Sequence, residues 1–214
     1  MPFRHAIHSV MLSGMNTGLP FTTPGQRIGL LGGSFDPPHA GHVHITRQAM
    51  RRFGLDRVWW IVSPGNPLKA ARPADFKRRL AACRALVQHP RIIVSDFEAR
   101  IGTRYTAETL ARLMVIKRDV DFVWLMGTDN LAQFHHWENW RGIMHSLPIG
   151  VLARPDDVVA AGLSPAAQTY RQWRLRMAAA KTLPGTTPPC WSLVTGAMVD
   201  MSSTKLRNSG EWIR

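Results

Sequence analysis

Cysteine is nearly absent. The 214 residues hold two, Cys83 and Cys190, far apart along the chain. They form no C-x-x-C pair and no zinc pattern, so a disulfide framework and a cysteine-built metal site are both excluded, and a reduced, cytoplasmic setting is expected. Long apolar runs are missing too. None reaches roughly 18 residues, so no membrane-spanning helix is expected. Residues 1–26 lack the continuous apolar stretch of a signal peptide and read as a loosely ordered extension, with Met11 and Met15 as alternative starts. Internal repeats and low-complexity tracts are absent. Acidic residues are scarce, 14 against 27 Lys and Arg, a net charge of +13. That balance suits an anionic partner, whether nucleotide phosphates or nucleic acid, and equally suits a generally basic surface. The basic residues are dispersed, with no run of five or six, so no nucleic-acid partner is expected.

What is present is an ordinary apolar content, 45%, in a chain long enough for one domain with a sizeable core. Strands and helices alternate from residue 27 to 214. Arg27–Leu31, Arg57–Ser63, Arg91–Ser95, Asp121–Met126, Pro148–Ala153 and Trp191–Thr195 are short apolar runs that read as buried strands. Val43–Phe53, Asp75–Gln88 and Thr106–Lys117 carry apolar residues at helical spacing, and a last short helix starts near Ser203. Such alternation predicts an α/β fold, a mostly parallel Rossmann-like sheet with helices on both faces. Ligands of such sheets sit beyond the carboxyl ends of the strands, where loops 32–42, 63–69 and 127–137 should converge. Residues 155–190, rich in Pro and Ala, read as a helical subregion without a strand. Ser164-Pro165 predicts a capped helix running to about Lys181.

The densest chemistry lies at Gly32-Gly33-Ser34-Phe35-Asp36-Pro37-Pro38-His39-Ala40-Gly41-His42, between the first strand and the first helix. Two glycines without Cβ atoms allow a ligand close to the backbone. Pro37 and Pro38 delay the helix. His39 and His42, three apart, share a face in its first turn. Helix-start amides add unpaired N–H groups and a partial positive charge, so the stretch suits a phosphate. The same His pair, with His44 nearby, could also be spaced for a metal. No Cys or carboxylate cluster accompanies it, and no protein-held metal is expected.

The string resembles the nucleotidyltransferase superfamily with the H-x-G-H signature, and its doubled glycine and F-D-P resemble the nicotinate-nucleotide adenylyltransferase family most. Further stretches carry the resemblance. Met201-Ser202-Ser203-Thr204-Lys205-Leu206-Arg207 is similar to the family's I-S-S-T-x-[IL]-R, Gly127-Thr128-Asp129-Asn130-Leu131 to its G-[TSA]-D-[NS]-L turn, and Thr103 to Leu110 to its T-x-Y-T-x-x-T-L stretch. Serines at a helix start also serve as plain caps. Pantetheine-phosphate adenylyltransferases and cytidylyltransferases tend to have other residues after F-D and lack the T-D-N-L to H-H-W segment in this form.

The resemblance implies adenylyl transfer from ATP to nicotinate mononucleotide, giving nicotinate adenine dinucleotide and pyrophosphate in NAD synthesis. His39 and His42 would be catalytic. ATP would meet Gly32, Gly33, Ser34, Phe35, His39, His42, Gly127, Asp129, Ser202, Ser203, Thr204 and Arg207. The nicotinate nucleotide would meet Asn66, Lys69, Tyr105, Thr106, Thr109, Asp129, Trp137 and Arg154. Mg²⁺ would accompany ATP, held mainly by phosphate oxygens and water. Related readings are another acceptor, nicotinamide mononucleotide or phosphopantetheine, or a basic nucleic-acid-binding protein with a degenerate site. A homo-oligomer is compatible with all of them.

Overall fold

The computed structural model describes residues 17–65, 72–153, 158–196, 203–210 and 212. Strands β1 (Arg27–Gly33), β2 (Arg57–Val62), β3 (Ile92–Ser95), β4 (Asp121–Gly127), β5 (Ile149–Leu152), β6 (Arg174–Leu175) and β7 (Trp191–Val194) form one sheet in the order β3-β2-β1-β4-β5-β7-β6. Every pairing is parallel. Helices on both faces bury the strands on both sides, which is why they read as continuous apolar runs. Residues 58–62 are all buried.

Side chains alternate between two cores. Ile28, Leu30, Trp59, Ile61, Trp124 and Met126 join one, whereas Leu31, Val58, Trp60, Val62, Val123 and Leu125 join the other. Helices α1 (Ala40–Arg52) and α2 (Phe76–Leu86) cover the second core through Ala49, Met50, Phe53, Leu80 and Cys83. Helices α3 (Phe97–Arg100), α4 (Thr106–Ile116), α5 (Thr128–Gln133) and α6 (Trp140–Ser146) cover the first through Phe97, Leu110, Leu131 and Ile143. The crossovers from β1 to β2 and from β4 to β5 therefore lie on opposite faces. Their strands are neighbours, so a crevice opens between the loops at their carboxyl ends.

Most expected elements appear with ends shifted by one to three residues. The first helix begins at Ala40, because His39, extended at φ −149°, already serves as its N-cap. The expected helix from Ser164 to Lys181 is not formed. Ser164 does cap a helix, accepting from the Ala167 N–H, but the chain there makes α7 (Val158–Leu163), then α8 (Pro165–Thr169), and leaves α geometry at Tyr170. The Tyr170 carbonyl accepts from Trp191 Nε1 at 2.8 Å, and its hydroxyl meets His145 Nε2 at 3.0 Å. The chain then runs through a 3₁₀ turn, Arg171–Trp173, into β6, a strand absent from the sequence reading. Sheet-edge pairing and two buried aromatic contacts override a continuous helical pattern. Leu19 packs on the first core and the Gly25 N–H donates to the Asp119 carbonyl at 2.7 Å. Among the described residues no helix is long and apolar enough to cross a membrane.

Burial shifts the titration of two groups inside the packing, Cys83 and Glu98, far upward. Burial pushes the Cys83 thiol up to about 12, which leaves it an inert packing residue. Burial alone pushes the Glu98 carboxyl from 4.5 up to about 7. A carboxyl raised in the folded state stabilises fully below its unfolded value, and that stability is lost as pH rises through the folded one. Wild type should therefore lose stability relative to Glu98→Gln between about pH 4.5 and pH 7, by a total of about 3 kcal/mol. Urea unfolding of both proteins across this range measures the gap. A gap independent of pH would contradict a buried, unpaired carboxyl.

Candidate active site

The crevice is floored by the end of β1. The two glycines there have different neighbours. A Cβ on Gly32 would lie 2.3 Å from Trp124 Cη2, so this glycine is required by the indole of β4. The nearest atoms to a Cβ on Gly33 would be those of the Phe35 ring, at an ordinary 3.4 Å. The indole thus takes up the space that the missing Cβ leaves at Gly32, whereas Gly33 has no such close neighbour. Phe35 follows in the left-handed region at φ 48°, uncommon for an aromatic residue. Its ring is buried, stacked on Trp60 at 4.8 Å and 11°, and tilted against His42 at 4.9 Å. That packing holds a backbone conformation that would otherwise cost on the order of 1–3 kcal/mol.

The imidazoles of His39 and His42 stand 3.9 Å apart, as their spacing predicts. The His39 backbone N–H donates to His42 Nδ1 at 3.2 Å. In neutral His42 this places the ring proton on Nε2, a donor suited to an anionic oxygen. The same turn is held from below. Thr46 Oγ1 donates to the His42 carbonyl at 2.7 Å, and Trp60 Nε1 donates to Thr46 Oγ1 at 2.8 Å.

Helix α9 (Ser203–Asn208) lies against this turn. Ser203 Oγ donates to the Pro37 carbonyl at 2.8 Å, and Arg207 Nη1 donates to the Asp36 carbonyl at 2.5 Å. Arg207 Nη2 donates to Thr204 Oγ1 at 3.0 Å. Asp36 Oδ1 accepts from Trp212 Nε1 at 2.7 Å and from the Ala74 N–H at 3.3 Å. Arg78 stacks its guanidinium over Trp212 at 4.0 Å.

The 127–137 loop reaches the turn through tryptophans. Trp124, against Gly32, meets Trp137 edge-on at 6.3 Å. Gly127 is the N-cap of α5, and Asp129 lies half-buried in its first turn. The stretch from Thr103 shares the first core with this loop through Ala107 and Leu110. Tyr105, extended and 39% exposed, precedes α4 without a side-chain cap. Thr109 is buried, and its hydroxyl is engaged internally, with Thr103 Oγ1 at 2.8 Å and the Tyr105 carbonyl at 3.2 Å. It braces the helix start. Asn66, Lys69, Arg154 and Ser202 lie outside the described residues. Between α1 and the ends of β5 and β7 lies a small, shallow hollow, lined by His44, Ile45, Gln48, Leu152, Val194 and Gly196 among others.

A sequence model of the cytidylyltransferase-like family matches residues 30–209. The chain belongs to this family. Among curated relatives, a Cereibacter sphaeroides protein is 60% identical over 185 residues, covering 86% of this chain and 98% of its own. A Ruegeria pomeroyi protein is 56% identical over 198 residues, covering 92% and 93%. Both carry the name "probable nicotinate-nucleotide adenylyltransferase". In fold, the chain resembles solved structures of the Plasmodium falciparum nicotinic acid mononucleotide adenylyltransferase. The one complexed with NaAD has a TM-score of 0.66 at 14% identity, covering 86% of this chain and 83% of its own. The one complexed with APC has a TM-score of 0.64 at 13% identity, with the same coverage.

In this cytidylyltransferase-like chain, the sequence reading missed Thr46, Arg79, Trp212 and the hollow beside α1. Arg79 carried a legible signal. It sits three after Phe76 and four before Cys83, on the apolar side of α2, where a solvated arginine does not belong. It is fully buried. The two glycines generate a test. Gly32→Ala should destabilise the protein by about 1–3 kcal/mol through the clash with Trp124. Gly33→Ala should keep the wild-type unfolding midpoint and weaken ATP binding by about tenfold or more, a loss of at least about 1.4 kcal/mol. Thermal unfolding and ATP titration of both variants give the comparison, and unchanged ATP affinity in Gly33→Ala would remove that glycine from the ligand's path.

Proposed function

We infer that this chain joins ATP and nicotinate mononucleotide, forming nicotinate adenine dinucleotide and releasing pyrophosphate. The observation that carries this reading is the His39–His42 turn, whose His42 Nδ1 accepts from the His39 N–H, a bond that puts the ring proton of neutral His42 on Nε2, beside the glycine pair at the end of β1. The relatives' names and the nicotinate-nucleotide motifs support the same acceptor.

The acceptor phosphate is already ionised near neutral pH, so no strong base is required. One of its oxygens attacks the α-phosphorus of ATP. The bond from that phosphorus to the bridging oxygen breaks, and pyrophosphate leaves with the electron pair. Catalysis is then positioning and charge stabilisation. His39 and His42 donate to phosphate oxygens as charge moves toward the leaving group. Gly33, Ser34 and Phe35 offer the backbone path. Ser203, Thr204 and Arg207, with Ser202, are assigned to the β- and γ-phosphates; Ser203 and Arg207 already touch the glycine turn. Gly127 and Asp129 are assigned to sugar, and the hollow between α1 and the ends of β5 and β7 to the adenine base.

Mg²⁺ is assigned to the triphosphate itself. Among the described residues no group of three or more His, Cys, Asp or Glu could hold a metal ion. The imidazoles, hydroxyls and amides of the turn suit phosphate oxygens better than a hard cation, which prefers carboxylate and water. Bound there, the ion would neutralise triphosphate charge.

On the acceptor side, Trp137 is assigned to the pyridine ring and Tyr105 and Thr106 to the carboxylate, with Thr109 bracing the helix start beneath them and with Asn66, Lys69 and Arg154 contributing from outside the described residues. The start of α4 offers helix-start N–H groups without a side-chain cap. A carboxylate accepts from them with both oxygens, but a carboxamide presents its own NH₂ and leaves N–H groups unpaired, at roughly 1–3 kcal/mol each. Two such losses predict a kcat/KM ratio of about 10²–10⁴ for nicotinate over nicotinamide mononucleotide. Dinucleotide formation with each nucleotide under identical conditions measures it. A ratio near one defeats the carboxylate assignment, and no product with either defeats the function. His42→Ala should keep the fold and lower kcat by about 10²–10³, as for one lost transition-state donor. Near-normal turnover in the folded variant would take His42 out of the mechanism.

A further inference from the structure

Arg79 has no exposed surface, and its guanidinium donates four hydrogen bonds, all to backbone carbonyls. Nε donates to Ala74 at 2.7 Å. Nη1 donates to Ser34 at 2.6 Å and to Ser63 at 2.7 Å, and Nη2 donates to Pro64 at 3.0 Å. These carbonyls come from three separate stretches. Ser34 belongs to the glycine turn after β1. Ser63 and Pro64 leave β2. Ala74 is where the chain enters α2, whose N-cap is Asp75. The planar fork of a guanidinium can reach all four at once, whereas a lysine's single nitrogen has three donors and cannot span them.

We propose that Arg79 is a positioning residue for adenylyl transfer, fixing the glycine turn against both stems of the second loop through the carbonyls of Ser34, Ser63, Pro64 and Ala74. This rests on the adenylyl-transfer reading, in which the turn carries the triphosphate. Burial pushes the Arg79 guanidinium down from its usual value, opposed chiefly by the charge of Asp36, and an apolar residue would fill the same space with less penalty. What an apolar residue cannot do is set the distance between two backbone turns to hydrogen-bond precision. Asp36 adds a second tie between the same stretches by accepting from the Ala74 N–H. In-line transfer is sensitive to such placement, since a shift of about 1 Å can cost about 10² in rate.

The test uses Arg79→Lys and Arg79→Met, with circular dichroism and thermal unfolding to define the folded fraction. For folded variants kcat should fall by about 10², with KM for each substrate changed by less than about fivefold, and Arg79→Lys should recover part of the rate. A folded variant with kcat near wild type, or a loss confined to KM, overturns the proposal. Hydrogen exchange in the wild-type protein gives an independent arm that does not need a folding variant. ATP alone should slow exchange at the Ala74 amide more than at amides of β6. Equal effects at both places overturn the proposal if neither variant folds. Wild-type turnover of ATP with nicotinate mononucleotide is measured alongside. Its absence counts against adenylyl transfer itself, while the exchange result still decides whether the turn and the loop stems are coupled.

Discussion

The site depends on β1 and β4 lying side by side while their connections leave toward opposite faces. That arrangement opens a crevice where no helix crosses, and it requires the two strand ends to approach closely. Trp124 fills the space where a Cβ of residue 32 would be, 2.3 Å from its ring. A larger residue at 32 would push the strands apart or displace the indole, and the indole is also the edge on which Trp137 rests. One missing methyl group thus joins the glycine turn to the loop after β4. Parallel register across the central strands, from Arg27 beside Asp121 to Leu31 beside Leu125, follows from the same contact surface.

The turn above this floor is held by its surroundings more than by its own sequence. Phe35 keeps a positive φ because its ring is trapped between Trp60 and His42. Trp60 in turn bonds Thr46, and Thr46 bonds the carbonyl of His42. The chain of contacts closes on itself, so ring, backbone and tautomer are fixed together. Such a turn is fixed before any ligand arrives, which is the condition under which dipoles stabilise a moving charge best.

The sequence is legible where physics is local. Continuous apolar runs and helical spacing located the central strands and helices, and Ser164-Pro165 marked a true helix start. The H-x-G-H spacing placed two imidazoles on one face. It failed where distant partners decide. Tyr170 ends a helix because Trp191 and His145 claim its carbonyl and hydroxyl, and neither lies nearby in sequence. Trp212 finds Asp36 across 176 positions. Gly32 and Gly33 look equivalent in sequence, and only the position of an indole from another strand separates their roles.

The excess of positive charge can now be assigned more closely than composition allowed. Near the turn, two arginines point at the protein's own carbonyls: Arg79 at Ser34, Ser63, Pro64 and Ala74, and Arg207 at Asp36. A third, Arg78, stacks on Trp212. Each joins segments that sequence keeps far apart. These contacts tie the glycine turn to the stems of the second loop and to α9. A net charge of +13 does not reveal them, because a count of cations says nothing of which atoms each guanidinium holds.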